Sequence, residues 1–160
     1  MRVVIQRVTR AAVRVAGETV GAIEQPGYLV LVGITHGDGA AQIAKLADKT
    51  ANLRLLEGEK SLLDEGAPVL AVSQFTLYGD AKKGRRPSWS AAAPGAVSEP
   101  LFNDYVQALR ERAQGGDAVP EAGAHAHVEP AAPAPAKKPR KARSSRKRSV
   151  SNAPTLLGDD

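Results

Sequence analysis

The chain contains no cysteine, and its only histidines are His36, His125 and His127. A disulfide framework and cysteine-ligated zinc are thereby excluded, and three imidazoles leave little for an all-protein transition-metal site. Long apolar runs are also missing: the longest, Tyr28 to Ile34, falls far short of the roughly 20 residues needed to span a bilayer. The segment Met1 to Arg7 lacks a signal-peptide pattern. There is no G-x-S-x-G elbow, Walker loop or dinucleotide fingerprint, so a side-chain triad is not the expected mechanism. These absences point to a soluble, cytoplasmic protein of a reducing compartment, with no metal and no cofactor. What remains is a chain of 160 residues with 42% hydrophobic content, enough to bury one core but not two.

The net charge of +5 is unevenly placed. Eight Lys and Arg side chains and no acidic ones lie between Lys137 and Arg148, so the rest of the chain carries a net charge of −3. The molecule reads as a mildly acidic body with a strongly basic tail. Composition shifts near Gly115-Gly116, and Pro130 to Ala136 holds only Pro and Ala. Such a segment buries too little apolar surface to offset its ordering entropy, and residues 130–150 are expected to be disordered.

The body begins with Arg2 to Thr9, rich in β-branched residues, followed by Ala12-Val13-Arg14-Val15 with period two; both read as strands. Turns at Ala16-Gly17-Glu18 and Gln25-Pro26-Gly27 lead into Thr19–Ile23 and Tyr28–Ile34, predicting an antiparallel meander with one buried central strand. From Asp38 the period changes, and Ile43, Leu46, Ala47, Thr50 and Leu53 form one stripe of an amphipathic helix. Leu62 to Ala67 reads as a loop and Pro68 to Phe75 as a strand. A second helix is predicted from Ser98 as N-cap, with Glu99 and Pro100 in its first turn and Leu101, Tyr105 and Leu109 on its stripe.

Two segments carry polar chemistry. Ser73-Gln74-Phe75-Thr76-Leu77 ends an apolar strand, where hydroxyls, an amide and backbone N–H groups can face a ligand or simply satisfy the local chain. Lys82-Lys83-Gly84-Arg85-Arg86-Pro87-Ser88-Trp89 sets four cations around a glycine with an aromatic beside them. Its two readings are a solvated basic loop and a phosphate-binding loop for nucleic acid. The lone His36 reads as a helix cap or a solvent-facing side chain.

Met1-Arg2-Val3-Val4-Ile5-Gln6-Arg7-Val8, Gly33-Ile34-Thr35-His36, Ala51-Asn52-Leu53-Arg54, Ser73-Gln74-Phe75-Thr76-Leu77-Tyr78 and Lys83-Gly84-Arg85-Arg86-Pro87-Ser88 follow the order and spacing of the D-aminoacyl-tRNA deacylases, the D-tyrosyl-tRNA deacylase family. The chain resembles that family from Met1 to about Arg112. The resemblance implies an α+β fold: a small barrel-like antiparallel sheet with two packed helices, here followed by a disordered basic tail. Residues 1–129 would form the deacylase-like domain with divergent last strands, 130–150 the Ala/Pro then Lys/Arg-rich segment, and 151–160 a C-terminal remnant. It further implies a homodimer that binds aminoacyl-tRNA and hydrolyses the ester of D-aminoacyl-tRNA, and of glycyl-tRNA mischarged on tRNA-Ala, for translation quality control.

By the same resemblance, Ser73, Gln74, Phe75 and Thr76 carry catalysis, through backbone oxyanion stabilisation and assistance from the RNA 2′-hydroxyl. Gln74 and Thr76 then act by positioning, and Lys83, Arg85 and Arg86 bind the RNA backbone. The family's chirality filter is a Gly-Pro dipeptide with a cis bond, contributed by the partner subunit. No Gly-Pro occurs in these 160 residues. The degenerate candidate is Ala153-Pro154, within Ser151 to Leu157. Two consequences are open: an enzyme with an altered filter, or a catalytically impaired dimeric tRNA-binding protein whose basic arm adds nonspecific nucleic-acid contacts.

Overall fold

A computed structural model describes residues 1–82 and 84–113, and the backbone of 121–122 and 127–130. The expected disordered segment and the C-terminal remnant lie, from residue 131 onward, outside the described residues. Strands β1 (Arg2–Val8), β2 (Ala11–Val15), β3 (Glu18–Ile23) and β4 (Gly27–Gly33) are followed by helices α1 (Ala40–Asn52) and α2 (Leu62–Glu65). Strand β5 (Val69–Ser73), a 3₁₀ turn (Phe75–Tyr78), helix α3 (Gly95–Arg112) and the short strands β6 (Glu121–Ala122) and β7 (His127–Pro130) complete the order.

The strands form two sheets, β1-β4-β5-β6 and β3-β2-β7. The α+β class and the two long packed helices agree with the sequence reading. The meander does not: β1 pairs with β4 rather than β2, and β4 runs parallel to β5, with Tyr28 opposite Val69 and Val32 opposite Ser73. The physical reason is the connection, because α1 and α2 supply the long helical crossover that parallel neighbours require and a hairpin cannot.

Strands β4 and β5 are buried on both faces, which explains their unbroken apolar sequence. Tyr28, Val30, Val32, Val69 and Ala71 pack with Ile43, Ala47 and Ala51 of α1 and with Phe102, Tyr105, Val106 and Leu109 of α3. Leu29, Leu70 and Val72 face the other way, onto Val8, Ala11, Val13 and Ile23. The result is three layers: helices, a mixed sheet and a second antiparallel sheet.

The helical boundaries differ in places from the sequence reading. Leu62–Glu65 is a helical turn rather than a loop, because Ser61 Oγ accepts from the Asp64 N–H at 3.2 Å and the Ser61 N–H donates to Asp64 Oδ2 at 2.9 Å. That reciprocal cap holds the Asp64 carboxyl below the usual carboxylate range, chiefly through the Ser61 backbone bond. Helix α3 begins at Gly95, before the predicted cap Ser98, since the Pro94 carbonyl accepts from Val97 and Ser98 N–H, each at 2.9 Å. Pro100 therefore lies inside the helix. In α1 the cap is Gly39, whose N–H donates to Gln42 Oε1 at 3.1 Å; His36 takes no part in it.

Between α1 and α3, buried Thr50 Oγ1 and Tyr105 Oη share a hydrogen bond of 2.8 Å. Burial pushes the Tyr105 hydroxyl up to about 12, with the bond to Thr50 opposing. An acid held neutral in the fold contributes stability that is fully present below its ordinary value near 10 and is lost as pH rises through about 12. Tyr105→Phe leaves Thr50 without its partner and should cost about 1–3 kcal/mol at neutral pH. It should also flatten the fall in stability between about pH 10 and 12, and chemical denaturation across that range checks both.

Candidate functional site

The parallel strands β4 and β5 end side by side at Gly33 and Ser73, and the chain turns over that edge. Gln74 leaves β5 with its N–H donating to the Val32 carbonyl at 2.8 Å. Residues Phe75–Tyr78 then wind into one 3₁₀ turn, closed by Leu77 N–H to Gln74 O at 3.3 Å and Gly79 N–H to Thr76 O at 2.9 Å. The first N–H groups of such a turn have no acceptor within it, and those of Phe75 and Thr76 meet none among the described residues. The Ser73 and Gln74 side chains are partly buried, whereas Phe75 and Thr76 are exposed.

Gly33 is what lets the turn sit there. A Cβ on it would stand 2.9 Å from Leu77 Cβ and 3.2 Å from the Gln74 carbonyl, closer than any side chain tolerates without displacement. On the far side, Tyr78 is buried beneath the Arg2 guanidinium, 4.4 Å from its ring centroid. Burial raises the Tyr78 hydroxyl above its ordinary value, the Asp38 charge adds to this, and Arg2 opposes it. Asp38 also accepts the Thr35 N–H at 2.8 Å and pairs with the Met1 ammonium.

The basic segment is a hairpin attached to this turn. Asp80 and Ser88 exchange N–H to carbonyl bonds of 2.8 and 2.9 Å, and Gly84 at the tip takes φ +80°, a conformation that favours glycine. Lys82, Arg85 and Arg86 are exposed on the hairpin, while Lys83 lies outside the described residues. Trp89, just past the base, meets Phe75 edge to face with ring centroids 6.1 Å apart. The following residues bind the end of β4, with Ala93 N–H on Ile34 O at 2.9 Å and His36 Nε2 3.3 Å from Ser90 O. His36 is otherwise solvent-facing.

The structure thus joins two segments that the sequence presents separately, the Ser73 to Leu77 run and the cationic run, and the joint is Phe75 against Trp89. Sequence reasoning offered Trp89 only as an aromatic beside the cations. It missed Asp80, Gly33 and Arg2, although the symmetric placement of Asp80 and Ser88 about Gly84 is a hairpin signal. Ala153 and Pro154 lie outside the described residues. Among the described residues there is no group of three potential metal ligands and no helix long and apolar enough to cross a membrane. A cleft of about 480 Å³ opens near Arg7, Gln25, Leu56 and Pro68, at the opposite ends of β4 and β5 from this turn.

The chain as a whole has known relatives. A family pattern described as D-Tyr-tRNA(Tyr) deacylase matches residues 4–129. A D-aminoacyl-tRNA deacylase of Thermobifida fusca is 64% identical over 110 residues, covering 69% of this chain and 78% of that protein. One from Nocardia farcinica is 57% identical over 131 residues, covering 81% and 91%. A solved structure titled c-Myc DNA Unwinding Element Binding Protein superimposes with a TM-score of 0.73 at 34% identity, covering 81% of this chain and 91% of that one. A probable eukaryotic D-amino acid tRNA deacylase, 14% identical with a TM-score of 0.66, shares the fold.

Gly33→Ala tests how tightly the turn is seated. The clash should cost about 1–3 kcal/mol and shift the fluorescence of Trp89, the single tryptophan of the chain, with circular dichroism otherwise unchanged. On the family match over residues 4–129 and the identity to these relatives, the chain belongs to the D-Tyr-tRNA(Tyr) deacylase family.

Proposed function

We propose that this chain hydrolyses the ester of D-aminoacyl-tRNA, and of glycyl-tRNA mischarged on tRNA-Ala, releasing free tRNA and the amino acid. The observation that carries the reading is the pair of N–H groups at Phe75 and Thr76, without an acceptor among the described residues and presented beside a cationic hairpin. Water attacking the ester carbonyl drives negative charge onto its oxygen, and preorganised N–H donors stabilise that charge. When the intermediate collapses, the ribose oxygen leaves as the tRNA hydroxyl. The neighbouring 2′-hydroxyl of the RNA can carry the proton, which suits a turn built from Ser73, Gln74, Phe75 and Thr76 without a paired imidazole. Gln74 and Thr76 position the substrate; Thr76 does not attack it.

Arg85 and Arg86 on the hairpin, with Lys83, hold the RNA backbone as forked and point cations. Exposed Phe75 and Thr76 need cover if water access is to be controlled, and a second copy of the chain in a homodimer is the occupant we propose. The domain division is 1–129, 130–150 and 151–160, and the site of action is the cytoplasm. Ala153-Pro154 stands as the candidate chirality filter, with Ala where the family pattern has Gly. That substitution favours a second reading, a catalytically impaired tRNA-binding dimer whose basic tail adds nonspecific contacts.

Deacylation of D-tyrosyl-tRNA beside L-tyrosyl-tRNA by the full chain separates these. Fast hydrolysis of the D-form alone is the expected result. Hydrolysis of both would mean that the gate is lost, and tRNA binding without hydrolysis of either would establish the second reading. In a separate assay, Arg85→Glu with Arg86→Glu should weaken tRNA binding and make its dependence on salt shallower, by roughly one counterion per lost phosphate contact. An unchanged slope would remove the hairpin from the RNA interface.

A further inference from the structure

A four-residue 3₁₀ turn is a weak element on its own, since its hydrogen bonds are poorly aligned and its terminal groups unsatisfied. This turn is anchored at its start by Gln74 N–H on Val32 O and beneath by the close approach to Gly33. At its far end the Leu77 carbonyl has no acceptor role within the turn, and it receives Arg2 Nη1 at 2.8 Å. The same guanidinium lies over the Tyr78 ring at 4.4 Å. Arg2 reaches both because it stands directly opposite Gly33 in the β1–β4 ladder, so strand register fixes its distance from the turn. The hydrogen bond is charge-assisted and the ring contact is of the cation–π kind, and a planar guanidinium can make both at once.

We propose that Arg2 is a positioning residue for the reaction: it clamps the C-terminal end of the turn and so fixes the aim of the Phe75 and Thr76 N–H groups at the other end. The inference rests on the hydrolytic reading above. Arg2 does not touch the reacting atoms. Its effect is orientational, and small misplacements of reacting groups are costly in rate. Binding of tRNA runs through the hairpin and is left largely intact when the clamp is lost.

The test compares the wild-type chain with Arg2→Ala and Arg2→Lys, measuring kcat and KM on D-tyrosyl-tRNA, the thermal midpoint, and the emission of Trp89, which touches Phe75. Arg2→Ala should lower kcat about tenfold with KM within about twofold, while shifting Trp89 emission and increasing its quenching by acrylamide. Arg2→Lys keeps the donor to Leu77 and should recover part of kcat. Unchanged kcat, or a loss confined to KM, would overturn the proposal, as would a loss explained by unfolding at the assay temperature. If the wild-type chain itself hydrolyses nothing, the hydrolytic reading fails by that result alone. Trp89 emission and quenching then decide the clamp, and no change in Arg2→Ala would refute it.

Discussion

The parallel pairing of β4 with β5 couples the two cores of the molecule, because alternate residues of each strand point into different layers. Tyr28, Val30 and Val32 lie under the helices, and Leu29, Leu70 and Val72 lie against the second sheet. Neither core can loosen without moving residues of the other. The shared carboxyl edge of these strands is therefore held by both cores, and it is where the chain places the Phe75–Tyr78 turn.

Rigidity of the platform is transmitted by close backbone contact. Gly33 admits the turn to within van der Waals contact, Val32 accepts its first N–H, and Ile34 accepts the N–H of Ala93 from the returning chain. The two hydrogen-bonded anchors are main chain to main chain, so their geometry depends little on side-chain rotamers. Charged side chains then act at the periphery: Arg2 on one side of the turn, and Arg85 and Arg86 on the hairpin beyond it. Under the proposed function, affinity for a polyanion and precision at the ester fall to different parts of one short stretch of chain.

The strands and the long helices were legible because each obeys one period. The α1 stripe of Ile43, Ala47 and Thr50 and the α3 stripe around Tyr105 and Leu109 are buried as their spacing requires. Partnering was not legible: nothing in β1 or β2 states that they belong to different sheets, and nothing in β4 states that its parallel neighbour follows a crossover through α1 and α2. Capping misled at both ends of the scale. Ser61 and Asp64 built a helix where polar residues suggested a loop, and Pro94 opened α3 before Ser98. The polar segments of the site were visible as composition, but Arg2 was not, because its role exists only once register sets it opposite Gly33.

The paired backbones of Asp80 and Ser88 close the cationic hairpin like a clasp. Closing a loop costs little more as the loop grows, about 0.6 kcal/mol for each doubling of length. Residues 81–87 can therefore gain or lose length and charge over evolutionary time while the clasp, and the turn before it, keep their places. If the hairpin grips RNA as proposed, a lineage could retune that grip by editing the tip alone, leaving inherited chemistry undisturbed.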